Sequence, residues 1–314
     1  MTDVMGNMDI AFPNLHIYLS NVPKSISIFG FEIAFYGIII AIGVFLGFLL
    51  ASKEGKRMGQ PDDLWWDFSI WAIIFSVLGA RIYYVIFSWD VYKNNLLEIF
   101  HLRNGGLAIY GAVIGGFLTL YVFSRMKKQS FFQMADAGVF GLLVGQIIGR
   151  WGNFMNREVF GGYSDGLFAM RLPIEAVRAA DISPQIASNI VQGTNYIQVH
   201  PTFLYEGALN LGLLLIMWAY RKHKKFDGEM ILWYLGGYGI IRFFVEGIRT
   251  DRLKIGHTNI AVSQLLGGVL FVLSVSFAVV IHLGLRGRIK LPSFLESVGR
   301  KVEEESKEAS MTEK

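Results

Sequence analysis

The sequence has no cysteine in its 314 residues. That excludes structural disulfides, thiolate metal sites, a cysteine nucleophile and lipidation of the chain on its own sulfur. Any thiol chemistry must therefore use a sulfur that a substrate brings. Charge is scarce as well. Asp, Glu, Lys and Arg make up 17% of the residues, where a soluble domain carries about a quarter. No N-terminal stretch combines a basic region, a short apolar run and a small-residue cleavage site, so no cleaved signal peptide is expected. No histidine–carboxylate spacing points to a metal, and neither a cofactor nor a nucleic-acid partner is expected. What is abundant is apolar: 53% of the residues are hydrophobic and 14% aromatic.

A helix needs about 20 apolar residues to cross the hydrocarbon core of a bilayer. Seven stretches meet or approach that length, at residues 31–51, 64–87, 106–124, 131–149, 202–220, 229–247 and 262–284. Basic clusters follow every second one: Lys53, Lys56 and Arg57; Arg125, Lys127 and Lys128; Arg221, Lys222, Lys224 and Lys225; Arg286, Arg288 and Lys290. The positive-inside rule puts all four on the cytoplasmic side. The expected fold is an all-α integral membrane protein, a bundle of about seven transmembrane helices with its N-terminus outside and its C-terminus in the cytoplasm. Residues 150–201, between spans four and five, read as a small extracytoplasmic domain of irregular or mixed structure. The first 30 residues are expected at the outer interface. Residues 1–290 thus form one polytopic domain and 291–314 a charged cytoplasmic tail that frays into disorder. Glycines four apart (Gly43 and Gly47, Gly111 and Gly115, Gly141, Gly145 and Gly149) read as close helix packing. Trp65, Trp66 and Trp89 read as an interfacial belt.

Charge inside a span is costly, about 2.5–3.5 kcal/mol for a central arginine, and so needs a partner or a job. Four places meet that description. Residues 149–161 gather Arg150, Asn153, Asn156, Arg157 and Glu158 between glycines. Arg150 offers a planar fork of donors suited to phosphate, the two asparagines add amide donors, and Glu158 could orient an arginine. The same residues also fit an interfacial loop whose arginine snorkels to headgroups. In the sixth span Tyr238, Arg242 and Glu246 recur at four-residue spacing, with Arg249 three further on, forming one polar stripe. A structural Arg242–Glu246 pair is the plain alternative. Residues 104–111 set Tyr110 among glycines. His200 and Glu206 open the fifth span, while Arg81 and Tyr36 are single polar residues inside spans. Most of these groups fall in the outer half of the bundle, which points to a phospholipid headgroup.

The run from Gly149 to Gly161 resembles the signature of bacterial prolipoprotein diacylglyceryl transferases, G-R-x-G-N-F-x-N-x-E-x-x-G, with every fixed position filled. The resemblance extends to Tyr36-Gly37, to the Gly-Gly segment before Tyr110, to His200-Pro201-Thr202 with Tyr205-Glu206, and to Tyr238-Gly239, Arg242-Phe243, Glu246 and Arg249. It implies a seven-span transferase of the bacterial cytoplasmic membrane whose active site faces the outer leaflet. Its partners would be membrane lipids, phosphatidylglycerol as donor, and prolipoprotein signal peptides carrying a lipobox cysteine. The diacylglyceryl group moves to that thiol, a thioether forms and glycerol phosphate leaves, the first step of lipoprotein maturation.

By the same resemblance Arg150 and Arg242 would stabilise the leaving phosphate, with Asn153 and Asn156 positioning the headgroup. Gly161 would allow close backbone approach, and Glu158 and Glu246 would hold the arginines. Tyr36, Tyr238, Arg249, His200 and Glu206 would complete the binding site. Some members carry a histidine, suggested as general base, where this chain has Tyr110. A phenol with a pKa of about 10 is a poor base at neutral pH. Either nearby arginines lower it, or a carboxylate takes the thiol proton, or the positive field suffices. The competing reading, a transporter or flippase of an anionic lipid or solute, predicts paired broken helices in two similar halves, and the sequence has no such duplication.

Overall fold

The computed structural model describes residues 4–101, 105–253, 258 and 260–285. Asn104, the basic cluster Arg286, Arg288 and Lys290, and the charged tail lie outside the described residues. Among those described, seven helices are long and apolar enough to cross a membrane. They are α1 (Phe35–Arg57), α2 (Leu64–Phe87), α4 (Ile109–Met126), α5 (Phe131–Asn156), α7 (Thr202–Tyr220), α8 (Glu229–Ile248) and α9 (Val262–Leu285). The two short helices α3 (Trp89–Tyr92) and α6 (Pro184–Ala187) lie in connections. The chain forms two compact units, residues 48–141 and residues 1–47 with 142–314.

In the unit of residues 48–141, α2 and α4 meet across glycines. A Cβ on Gly111 would lie 2.2 Å from the Gly79 carbonyl oxygen, and one on Gly115 2.3 Å from that of Phe75. The small-residue reading holds there, because only a bare Cα lets these backbones touch. Arg81 is 6% exposed. It donates to the carbonyls of Glu98, Ile99, Gly105 and Gly106 at 2.7–2.9 Å and lies over the Tyr92 ring. Its charge is thus consumed in fastening the loop before α4, where Gly105 and Gly106 take positive φ. Trp65 departs from expectation. It is 2% exposed and donates to Gln60, a core residue held with Phe68, Phe123 and Met134, while Trp66 and Trp89 are exposed as a belt requires.

The unit of residues 1–47 and 142–314 adds a small sheet to the helices. Strands β1 (Ile10–Phe12), β2 (Ile17–Leu19), β5 (Met170–Pro173) and β6 (Tyr196–Val199) pair antiparallel in the order β2-β1-β5-β6. A separate ribbon, β3 (Ser25–Ile28) with β4 (Phe31–Ala34), runs directly into α1 and explains why the first helix starts four residues after the apolar stretch does. Strand alternation aims Ile10, Phe12, Met170, Leu172, Ile197 and Val199 at one face, where they pack on Phe154 at the end of α5 and Phe203 at the start of α7. The expected domain at 150–201 is therefore partly a sheet, and residues 10–12 and 17–19 of the N-terminal stretch supply two of its four strands. Arg157 fixes the junction. It is 2% exposed and donates to the carbonyls of Met8, Val22 and Met155 at 2.6–3.0 Å. Each bond from a buried charge is worth about 1.5–3 kcal/mol. Arg157→Ala is accordingly expected to destabilise this sheet by about 3 kcal/mol or more, read as earlier proteolysis of residues 8–22 and a lower Tm in detergent.

Candidate active site

The last two turns of α5 carry Arg150, Asn153 and Asn156 at three-residue spacing on one face. The helix stops where Arg157 takes φ 56° and Val159 φ 61°. A β-branched residue rarely accepts that conformation, and strain of this kind persists only where surroundings fix it. Here they do. Gly161 donates to the His200 carbonyl at 2.9 Å and Gly162 to that of Ile248 at 3.0 Å, Gly161 bridges Arg249, and the Thr202 hydroxyl bonds the Val159 carbonyl. The segment after α5 is thus clamped between the start of α7 and the end of α8. A Cβ on Gly161 would lie 2.8 Å from the His200 Cβ and 2.9 Å from the Ile248 carbonyl oxygen. The close approach that Gly161 permits is to the protein's own chain.

Glu206, on the second turn of α7, stands at the centre. It is 1% exposed and accepts from Arg150 Nη2 at 2.6 Å, Arg242 Nη1 at 3.2 Å and the Tyr238 hydroxyl at 3.3 Å. One carboxylate therefore holds guanidinium groups from α5 and α8 against their mutual repulsion. The network extends both ways. Arg150 also donates to Asn153, and Asn153 donates to Glu158 at 3.0 Å. Arg242 pairs with Glu246, which lies 3.6 Å from Arg249, and Arg249 grips Asp251 through two bonds of 2.8 and 2.9 Å. Burial alone would raise the Asp251 carboxyl, but Arg249 outweighs it and holds it below 3.8.

The arrangement corrects one assignment and enlarges another. Glu158 contacts Asn153 and, at 3.5 Å, Asn156, rather than an arginine. Glu206, expected only as one contributor, bridges both key arginines. Glu246 holds Arg242 as expected. Tyr36 packs on α5, its ring 2.8 Å from where a Gly152 Cβ would stand. His200 faces the Tyr205 hydroxyl through Nδ1 at 3.3 Å, and burial lowers its pKa from the ordinary imidazole value, disfavouring the charged form. Tyr110 belongs to the other compact unit, in the first turn of α4 beside the Tyr83 ring. Arg157, one of the polar residues of the 149–161 run, reads in the sequence like an ordinary interfacial arginine. Asp251 escapes notice there because it lies in the connection between the sixth and seventh spans, outside any apolar run.

Arg150 and Arg242 are 16% and 14% exposed. The bonds of Arg150 to Glu206 and Asn153 use two of its five N–H donors. Two partly buried guanidiniums fixed by one carboxylate, with donor edges still reachable, suit a tetrahedral oxyanion such as phosphate. With seven membrane-length helices, the class this defines is a multi-pass membrane protein with an anion-receptive site.

The comparisons with known proteins make this particular. Residues 23–280 match the family model described as prolipoprotein diacylglyceryl transferase. A phosphatidylglycerol–prolipoprotein diacylglyceryl transferase of Clostridioides difficile (strain 630) is 40% identical over 237 residues, 75% of this chain and 86% of that one. Those of Listeria monocytogenes serotype 4a (strain HCC23) and Finegoldia magna are 42% and 41% identical, over 82% and 76% of this chain and 88% and 87% of theirs. The chain belongs to the prolipoprotein diacylglyceryl transferase family and is a transferase; the transporter reading is not favoured.

Proposed function

We propose that this transferase moves the diacylglyceryl group of phosphatidylglycerol to the lipobox cysteine of a prolipoprotein. The observation that carries the reading is the pair Arg150 and Arg242 sharing Glu206. The thiol sulfur attacks the glyceryl carbon bonded to phosphate oxygen. A C–S bond forms, the C–O bond breaks with its electron pair going to oxygen, and glycerol phosphate departs with the thiol proton lost to an acceptor. The two arginines grip the phosphate and neutralise the charge that grows as it leaves. A thiol ionises with a pKa of about 8.5, and the same guanidinium field favours its thiolate. Asn153 and Asn156, held by Glu158, orient the headgroup, with Tyr36 and Tyr238 as further contacts of the substrate. Glu246 fixes Arg242, and Arg249 and His200 brace the clamped segment at Gly161. The activity resides in one polytopic domain of residues 1–290, in the bacterial cytoplasmic membrane, with the N-terminus and the site on the outer side.

Purified protein incubated with phosphatidylglycerol and a lipobox peptide is expected to raise the mass of the cysteine residue by one diacylglyceryl group. An unmodified peptide would refute the reading. Tyr110 enters the catalytic set only through its place in the sequence, where some members of the family carry a histidine. A general base contributes about 10²–10⁴-fold, so a loss of that size in Tyr110→Phe would assign the thiol proton to the phenol. Undiminished transfer would leave it to a carboxylate or to the positive field.

A further inference from the structure

Three of the site residues have a second residue one helical turn away on the same face, and all three of those are neutral and polar. Gln146 precedes Arg150 by four on α5, Asn210 follows Glu206 by four on α7, and Tyr234 precedes Tyr238 by four on α8. The chain runs through α7 in the opposite sense to α8, because Glu206 near the start of α7 meets Arg242 while Tyr220 at the end of α7 donates to Glu229 at the start of α8. Helices α5 and α8 run in the same sense, because Gln146 meets Tyr234 and, four residues on in each helix, Arg150 and Tyr238 meet the same Glu206. All three displacements therefore point the same way, into the helices and away from the sheet. The side chains confirm the layering. The Tyr234 and Tyr238 rings stack with planes 4° apart, and Gln146 Nε2 donates to the Tyr234 hydroxyl at 2.8 Å. One further turn brings leucine or methionine on each helix, Leu142, Leu214 and the fully buried Met230, so the polar column is two layers deep.

The second layer is underemployed. Asn210 is 0% exposed, yet neither its amide nitrogen nor its amide oxygen has a protein partner, and the buried Oε1 of Gln146 has none either. Buried amides are nearly always satisfied, and leaving one unmet costs about 1–3 kcal/mol per group. A purely structural layer would be better served by leucine. Two acceptor oxygens and one amide donor, with no formal charge, complement a pair of hydroxyl groups. They offer neither a carboxylate for an ammonium group nor a cation for a carboxylate. The spacing of the layers, about 5.4 Å, suits a three-carbon polyol whose phosphate sits one turn higher.

We infer that Gln146, Asn210 and Tyr234 form a polyol subsite that takes the glycerol of the departing headgroup while Arg150 and Arg242 hold its phosphate. This rests on the proposed function and adds the basis on which the donor headgroup is selected. A site built to bond hydroxyls disfavours the analogue lacking them, because its buried polar groups are then left unpaired.

The test compares two donors in the same peptide assay, phosphatidylglycerol and phosphatidylpropanol, which differ only in the two headgroup hydroxyls and yield the same product mass. The unaltered enzyme is expected to favour phosphatidylglycerol by about 10²-fold in kcat/KM. Asn210→Leu is expected to bring the two donors within about threefold by slowing the phosphatidylglycerol reaction. It should also raise Tm or leave it unchanged, since a leucine replaces an unmet amide. Gln146→Leu should narrow the ratio in the same direction. If the leucine variant does not accumulate, Asn210→Ser reads the same ratio. Equal use of the two donors by the unaltered enzyme, or an unchanged ratio in the variants, would mean that the layer holds only water and would overturn the inference. Failure of the unaltered enzyme on both donors would instead overturn the proposed function.

Discussion

Arg150→Ala or Arg242→Ala will lower diacylglyceryl transfer by about 10³-fold, the loss seen when a preorganised donor to a developing oxyanion is removed. Each guanidinium is anchored by a carboxylate that is 1% exposed, and each keeps donor edges open. Neither needs to reorganise as the C–O bond breaks, which is where electrostatic catalysis gains most. Lysine is expected to rescue little. Its single ammonium cannot pair with Glu206 and face a phosphate oxygen in the same plane, whereas a guanidinium presents donors along two edges. The discriminating measurement is single-turnover transfer at saturating lipid in membranes, with protein level checked by immunoblot. Wild-type rates in both alanine variants would sink the assignment. A loss confined to KM would make the arginines binding groups without a share in the chemical step.

Glu206→Ala will cause the largest loss of stability of any single change in the site. Removing one partner of a buried ion pair typically costs about 3–5 kcal/mol, because the remaining charge is left uncompensated. Here two guanidiniums lose their shared counter-charge, together with the acceptor of the Tyr238 hydroxyl. Transfer should fall with it, since Arg150 and Arg242 would move apart. Glu206→Gln keeps the shape but not the charge and is expected to lie between the two, folding better than alanine while remaining impaired. A double variant, Glu206→Gln with Arg150→Gln, removes a charge of each sign. It should recover part of the Tm lost in Glu206→Gln without recovering activity. A Glu206→Ala protein as stable and active as the parent would show that the carboxylate merely fills space.

Much of this was legible in the chain. Intramembrane charge is so costly that Arg150, Arg242 and Glu246 stood out without any structure, and hydropathy located the seven helices because backbone groups in lipid must be satisfied within a helix. The three-residue spacing of Asn153 and Asn156 likewise put them on one helical face. It was silent where the outcome depends on which distant segments meet. The role of Glu206 as the bridge follows only when α5, α7 and α8 converge. The pairing of β1 with β5 joins residues about 160 apart through a single register pair, Ala11 with Arg171, too short a pattern to read from alternation. Arg81 was a false lead of the opposite kind, a buried charge whose work is to cap a loop. Asn210 and Gln146 carry no formal charge, and an amide in an apolar run is inconspicuous in sequence though its unmet hydrogen bonds are also costly.

The strand Ile10–Phe12 and the carbonyls of Met8 and Val22 bear on how the protein is made. Their partners, Arg157 and Met170–Pro173, emerge from the ribosome only after four membrane-length helices have been synthesised. Contacts so far apart in sequence form late. During translation the leading segment must therefore wait, unpaired, until the fourth helix has been threaded into the bilayer. Closure of the sheet then becomes a checkpoint that reports correct insertion of the first half. A helix inserted in the wrong sense would leave Arg157 and residues 8–22 on opposite faces of the membrane, with the strained turn at Val159 unsupported and exposed to quality-control proteases.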